Sequence, residues 1–344
     1  MKNKKKTTIK DIANALNITP SAVSKALNNH PRISDKTKAA VKQVAETLNY
    51  QPNHIATALR KGKSNLVGVM IPRANSHFFS SVVEKIENVL SKEGYNIIIT
   101  QSNESFTREC KNIESLLLTQ VDGIIASMAN ETKTLEHFEK IKSSDTPLIM
   151  FDRGEDALAV DYIGIDDYQS SFKIIEHLKN QGCKRIAHIG GHSHTRIYKN
   201  RISGYKDALT KYKLPIVEEL ISESTLYIAD GRKIMKQLLE LPERPDAVYA
   251  ASDFAAMGAL QVLEENNIKV PEDIALVGFS NETFTSFVKP SITTINQRSE
   301  TIGQLAAETF LKRVNTTNWT PKLNNTIIDS ELVIRDSSLK AINK

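Results

Sequence analysis

From residue 66 onward the sequence alternates short apolar runs with stretches of helical periodicity, and this alternation restricts the fold more than any other feature. The runs fall at 66–71, 95–100, 121–127, 147–151, 162–165, 185–189, 247–250, 274–279, 292–295 and 327–333. Helical segments lie between most of them, for example at 82–90, 113–118, 172–178, 204–209, 234–239 and 255–263. Strands joined by crossover helices pair in parallel and have both faces covered. So many strands exceed one comfortable sheet, so two doubly wound parallel sheets, one per lobe, are predicted. In such sheets ligands bind beyond the carboxyl ends of the strands.

The chain has 344 residues, enough for two or three folding units. Its 40% hydrophobic and 25% charged content is that of an ordinary globular protein. No window approaches the ~18 uninterrupted apolar residues of a membrane span. The opening residues, MKNKKKTTIKDIA, have the charge of an export signal without its apolar stretch, so a cytoplasmic protein is expected. Cys110 and Cys183 are too few for a disulfide framework and are read as buried small hydrophobes.

Charge is unevenly spread. Residues 1–63 carry 13 Lys and Arg against Asp11, Asp35 and Glu46, a balance of +10, whereas the rest of the chain carries −5. A basic head on a mildly acidic body suits a polyanionic partner, although a solvated Lys-rich tail would give the same sum. The pattern within the head discriminates. Ile9, Ile12, Ala13 and Leu16 form one apolar stripe. Thr19 then stands at an N-cap with Pro20 at the first helical position, and Ala22, Val23, Ala26 and Leu27 continue a second short helix. Ser34 caps a third, with Asp35 in its first turn and Val41, Val44, Ala45 and Leu48 on its buried face. Three short helices, with Ser21, Ser24, Lys25 and Asn28 interleaved on the second, form the layout that inserts a helix into the major groove. A generic three-helix bundle is the alternative. The stretch 53–63 is short for an isolated helix, and its small face (Ala56, Ala58) beside Leu59 suits a segment that orders on DNA, with the leucine as a minor-groove wedge; a plain basic linker is the alternative.

In the body, strand ends nominate the loop 73–79, Ser127, Asp152-Arg153, the region before Arg201, Ser252-Asp253 and Ser280-Asn281 as a cleft. Phe78 and Phe79 offer an apolar face for a ring, and Asp152 and Arg201 suit hydroxyls or a charged group. Each of these residues singly would pass as structural. No phosphate loop, HExxH or GxSxG pattern occurs, so neither catalysis nor a bound cofactor is expected. His192 and His194 are spaced for a loop rather than a metal site.

The segment TTIKDIANALNITPSAVSKALNNHPRISDKTKAAVKQVAETLNYQPNHIATALRKGKSNLVGVMIP resembles the lactose-repressor (LacI/GalR) family of bacterial transcription regulators, and FFSSVVEKIE, VDGIIAS, FDR, RISGYKDAL, PDAVYAASD and PSITTINQ extend the resemblance over the whole chain. It implies a helix-turn-helix domain at 1–51 and a hinge at 52–64. It also implies a two-lobed body like periplasmic sugar-binding proteins, with lobe 1 at about 65–164 and 297–325 and lobe 2 at about 165–296 and 326–344. The implied function is that of a homodimeric (or tetrameric) repressor of a near-palindromic operator, controlled by a small-molecule effector such as a sugar. By position, Ser21 and Lys25 would read bases beside Ala22, with Pro20 and Ala22 replacing polar residues usual there, and Lys25 replacing a common Arg. Thr8, Ser24, Asn28, Thr37, Tyr50 and Asn53 would contact phosphates, and Ala56 and Leu59 belong to the hinge. Phe78, Ser127, Asp152, Arg201, Ser252, Ser280 and Gln297 fall on effector positions. Ser280 stands in place of the usual Asp, and Ser252 in place of a common Asn, so an effector less polyhydroxylic than a simple hexose, or one gripped elsewhere, is expected. The tail 337–344 has no leucine heptads, which disfavours a coiled-coil tetramer.

Overall fold

The computed structural model describes residues 7–50, 63–316 and 323–340. The chain divides into two compact units, Met1–Ser64 and Asn65–Lys344. The hinge positions Asn53, Ala56 and Leu59 lie outside the described residues.

The first unit holds α1 (Ile9–Leu16), α2 (Pro20–Leu27) and α3 (Asp35–Thr47). Its boundaries are set by caps. The Thr19 hydroxyl accepts from the Ala22 amide at 3.1 Å, and Ser34 accepts from the Thr37 amide at 3.3 Å. Asn17 closes α1 in the left-handed region, φ 55°. Ile12, Ala13, Val23, Ala26, Val41 and Ala45 form the core between the three helices. Leu48, expected on the buried face of α3, is instead 37% exposed. The helix ends one residue before it, Asn49 turns the chain at φ 47°, and Tyr50 returns to pack against the core.

The second unit is built on two parallel sheets. The first has the order β2 (Asn96–Gln101), β1 (Leu66–Ile71), β3 (Gly123–Ala126), β4 (Leu148–Phe151), β5 (Asp161–Ile165) and β11 (Asn325–Ile328). The second has the order β7 (Ile221–Ser224), β6 (Ile186–Gly191), β8 (Ala247–Ala250) and β9 (Ala275–Val277). A short antiparallel pair, β10 (Thr294–Asn296) with β12 (Glu331–Val333), lies beside them. Helices α4 (His77–Leu90), α5 (Phe106–Leu118), α6 (Glu136–Ser143) and α11 (Ser299–Asn315) cover the first sheet. Helices α7 (Asp167–Asn180), α8 (Arg196–Lys211), α9 (Ile228–Glu240) and α10 (Asp253–Glu265) cover the second. Along β1 the faces alternate: Val67, Val69 and Ile71 pack in one core, while Met70 packs in another with Ile113 and Leu116 of α5. Both faces are buried, which is why the strand reads as an unbroken apolar run.

Two expectations are corrected. The run at 327–333 is not one strand: Ile327 and Ile328 end β11 in the first sheet, and residues 331–333 form β12 elsewhere. The turn between them is tied to α7, with Ser170 Oγ 2.7 Å from Ser330 Oγ and Lys173 Nζ donating to the Ser330 carbonyl at 2.9 Å. Residues 326–328 therefore stand with lobe 1 rather than lobe 2. Strand β7, Ile-Ser-Glu-Ser, escaped the sequence reading because it is an edge strand with one apolar residue. Among the described residues the chain passes between the lobes three times, after β5, after β10 and after β11.

Candidate functional site

In the first unit, α2 and its C-cap residue present Ser21, Lys25 and Asn28 at i, i+4 and i+7, all exposed, while Val23 and Ala26 face the core. Three side chains of opposite chemistry to the core thus share one outward stripe of a helix fixed by its own cap. Ala22 and Ser24 flank the stripe and are half-buried. Asn28 Nδ2 donates back to the Ser24 carbonyl at 2.7 Å, which orients its amide. The expected phosphate contacts are less free than the sequence suggests. Thr8 gives both its amide and its hydroxyl to Asp11 Oδ2, at 2.7 Å each. The Thr37 hydroxyl lies 2.9 Å from that of Ser34, and Tyr50 packs against the head's core.

In the second unit, the carboxyl ends of the strands face a narrow cleft between the lobes. Phe78, Phe79, Asp152, Arg153, Arg201, Ser252, Ser280 and Gln297 line it together, eight of the eleven residues selected from the sequence. The other three stand behind it. Ser127 is fully buried, 3.5 Å from Asp152 Oδ2, and receives the Arg153 amide at 3.4 Å, so it supports the loop instead of facing the cleft. Asp253 caps inward: it accepts from Thr294 Oγ1 at 2.7 Å and from the Glu282 amide at 2.8 Å. Asn281 accepts from Arg335 at 2.8 Å.

Charges around the cleft are arranged in pairs. Arg201 donates through Nε to Asp167 at 2.8 Å and through Nη1 to the Ala251 carbonyl at 2.9 Å, with its guanidinium 3.5 Å from the Phe279 ring centre. Burial pushes Asp167 up to about 6, offset in part by Arg201, so the pair is still charged at neutral pH. Arg153 binds Glu104 at 2.6 Å and pairs more loosely with Asp152, whose carboxylate lies 3.8 Å from its Nε. Burial alone would raise Glu104, but Arg153, the Asn130 amide and Arg73 outweigh it and hold its carboxyl below the usual range. Asp152 is raised, chiefly by burial, with Arg153 and Arg201 opposing. It is left-handed at φ 56°, as is Asn281 at φ 53°, a region that Asp and Asn tolerate, whereas Ser280 at φ 116° is the strained position of the opposite wall. Gln297 Nε2 donates to Ser280 Oγ at 3.0 Å and steadies that wall.

Lobe-to-lobe contacts were not foreseen. Glu282, after β9, accepts from Ser76 Oγ at 2.5 Å and from the His77 amide at 2.7 Å, capping α4 from the opposite lobe. Arg73, after β1, sits 4.7 Å from the Tyr227 ring centre and 5.0 Å from that of Phe254. The only signal available for these residues was their place just beyond strand ends. Among the described residues no cluster of three or more His, Cys, Asp or Glu is placed to hold a metal, and no helix is long and apolar enough to cross a membrane.

Residues 8–53 match the bacterial regulatory proteins of the lacI family, and residues 175–338 match the periplasmic binding protein-like domain. Catabolite control protein A of Priestia megaterium is 30% identical over 309 residues, covering 90% of this chain and 92% of that protein. The HTH-type transcriptional regulator DegA of Bacillus subtilis is 30% identical over 335 residues, covering 97% and 98%. The chain belongs to the lacI family of bacterial regulatory proteins. As a member of the lacI family it is a DNA-binding transcriptional regulator, not an enzyme. Among solved structures, the transcriptional regulator CelR in complex with cellobiose is 25% identical with a TM-score of 0.71, covering 96% of this chain and 100% of that one. The lac repressor dimer bound to operator shares the fold at a TM-score of 0.83 and 23% identity, covering 98% of this chain and 100% of that one. A lacI-family body explains why so many selected residues meet at one edge: the cleft is where both sheets end.

Proposed function

We propose that this regulator is a homodimeric repressor whose grip on a near-palindromic operator is set by a small, sugar-like effector held between the lobes. The observation that carries the reading is the pairing, within one chain, of an exposed polar stripe on a capped helix with a cleft whose walls belong to two lobes. The stripe of Ser21, Lys25 and Asn28 supplies base and phosphate contacts from α2, and the basic head supplies non-specific attraction. Phe78 and Phe79 offer the effector an apolar face, and Asp152 offers it a carboxylate acceptor. Ser280 and Ser252 present hydroxyls where the family more often presents an Asp and an Asn, so the polar grip rests on Asp152, Arg201 and Gln297. An effector that favours one lobe arrangement shifts the separation of the two heads in a dimer, which is linkage between two sites. The CelR complex with cellobiose supports a saccharide in this cleft, and the operator-bound lac repressor dimer supports the assembly. A cytoplasmic setting follows from a DNA target.

Selection of bound duplexes from a random pool, run with and without a panel of carbohydrates, tests the proposal. Enrichment of a two-fold symmetric site that one carbohydrate alters is expected. Enrichment of no sequence at all overturns it.

A further inference from the structure

Arg73 stands between two spaces. On one side is the cleft already described. On the other, a wider chamber of about 500 Å³ opens along the same carboxyl edge, lined by Asn103, Asn130, His194, Thr225 and Tyr227 together with Glu104. These residues come from the loops after β2, β3, β6 and β7, so both lobes contribute to the chamber as they do to the cleft.

The partition between the two spaces is thin and poorly satisfied. Arg73 lines the inner cleft and stacks on Tyr227 of the outer chamber. Glu104 lines the outer chamber and binds Arg153 of the inner cleft at 2.6 Å. Between Arg73 Nε and Glu104 Oε1 the separation is 3.5 Å, an ion pair without a hydrogen bond, and both atoms are buried without a hydrogen-bond partner. Arg153 Nε is in the same position. So is Asn130 Oδ1, on a side chain only 6% exposed that lines the chamber. Buried polar atoms are normally paired, so four such atoms gathered along one partition mark a place that a ligand completes.

The chamber's chemistry narrows the ligand. Glu104 is paired with Arg153 of the inner cleft, and Glu131 is matched in number by Lys133, so no large net charge selects an ion. Amides, a hydroxyl and an imidazole mix donors with acceptors, which suits a cluster of hydroxyls. Tyr227 is 39% exposed and presents an aromatic surface for the apolar face of a ring.

We propose that the effector site has two compartments, that Arg73 is the gate between them, and that the ligand is a neutral saccharide of two rings with one ring in each. This rests on the reading of the inner cleft as the effector site and adds the size and charge of what it takes.

The test is calorimetric titration of the full chain with neutral hexoses and with the disaccharides built from them. At least one disaccharide is expected to bind about tenfold or more tighter than either of its component sugars. Tyr227→Ala, which removes the outer ring surface, and Thr225→Trp, which fills the chamber from an exposed position, are each expected to lower that preference about tenfold. Single-ring sugars that bind best, with a preference indifferent to both substitutions, overturn the chamber and leave the effector cleft standing. Binding of no saccharide of either size overturns both.

Discussion

Glu282 and Ser76 come from opposite lobes and are 206 positions apart, yet the Ser76 hydroxyl donates to the Glu282 carboxylate at 2.5 Å. The second carboxylate oxygen takes the first free amide of α4, that of His77. A helix whose own cap residue gives its first amides no side-chain acceptor is thus capped by the other lobe, so closing the cleft and finishing α4 are one event. Removing this carboxylate leaves both groups without their partner. Glu282→Ala is expected to cost about 1–2 kcal/mol in urea unfolding, and to enlarge the ligand-free protein in small-angle scattering as the lobes part. An unchanged radius with lost stability would reduce Glu282 to a local cap.

Arg201 is held by the protein before any ligand arrives. Because Asp167 is buried with it, Arg201→Ala leaves an uncompensated carboxylate in the interior and is expected to destabilise by about 3–5 kcal/mol. The double substitution Arg201→Met, Asp167→Leu should recover much of that loss in thermal unfolding while the effector response stays absent. Recovery of both stability and response would remove Arg201 from the ligand's contacts.

Asp253 gives the body a pH dependence. Burial pushes its carboxyl up to about 7 from the ordinary 3.8, against the hydrogen bonds from Thr294 and the Glu282 amide. Between those two values the folded protein holds a proton that the unfolded chain has released. This group's contribution is therefore fully present below pH 4 and is lost as pH rises through 7. Asp253→Asn should lose less stability than the parent between pH 5 and pH 8 in urea unfolding. Equal losses in the two proteins would contradict a raised Asp253.

On the DNA side, Lys25 and the general charge of the head make different predictions. Lys25→Ala should lower the preference for the selected operator over random duplex about tenfold, because a base contact is lost. Affinity of the parent for any duplex should fall steeply from 50 to 200 mM salt as counterions are released. A specificity ratio untouched by Lys25→Ala would move base reading off this part of α2.

Much of this arrangement was legible because it is local. The caps Thr19 and Ser34, the core stripe of α1 and most strands of the body follow from spacing within a dozen residues. Phe78, Asp152, Arg201 and Ser280 were found by a rule about strand ends. What stayed hidden depends on partners distant in sequence. Glu104 is tied to the cleft wall only because Arg153, 49 positions on, reaches it, and Glu282 to the other lobe only because α4 begins there. Ser127, Asp253 and Asn281 sit at strand ends too, but their side chains were already engaged behind the wall. Position along a strand predicts nearness to the cleft; it does not tell which side chain is left free to face it.

Operator affinity measured by fluorescence anisotropy, on the duplex recovered by selection, joins the two ends of the account. With a saccharide shown by calorimetry to occupy the cleft, the dissociation constant should shift about tenfold or more relative to the unliganded protein. An identical constant with the cleft filled and empty would contradict the claim that the cleft controls the head.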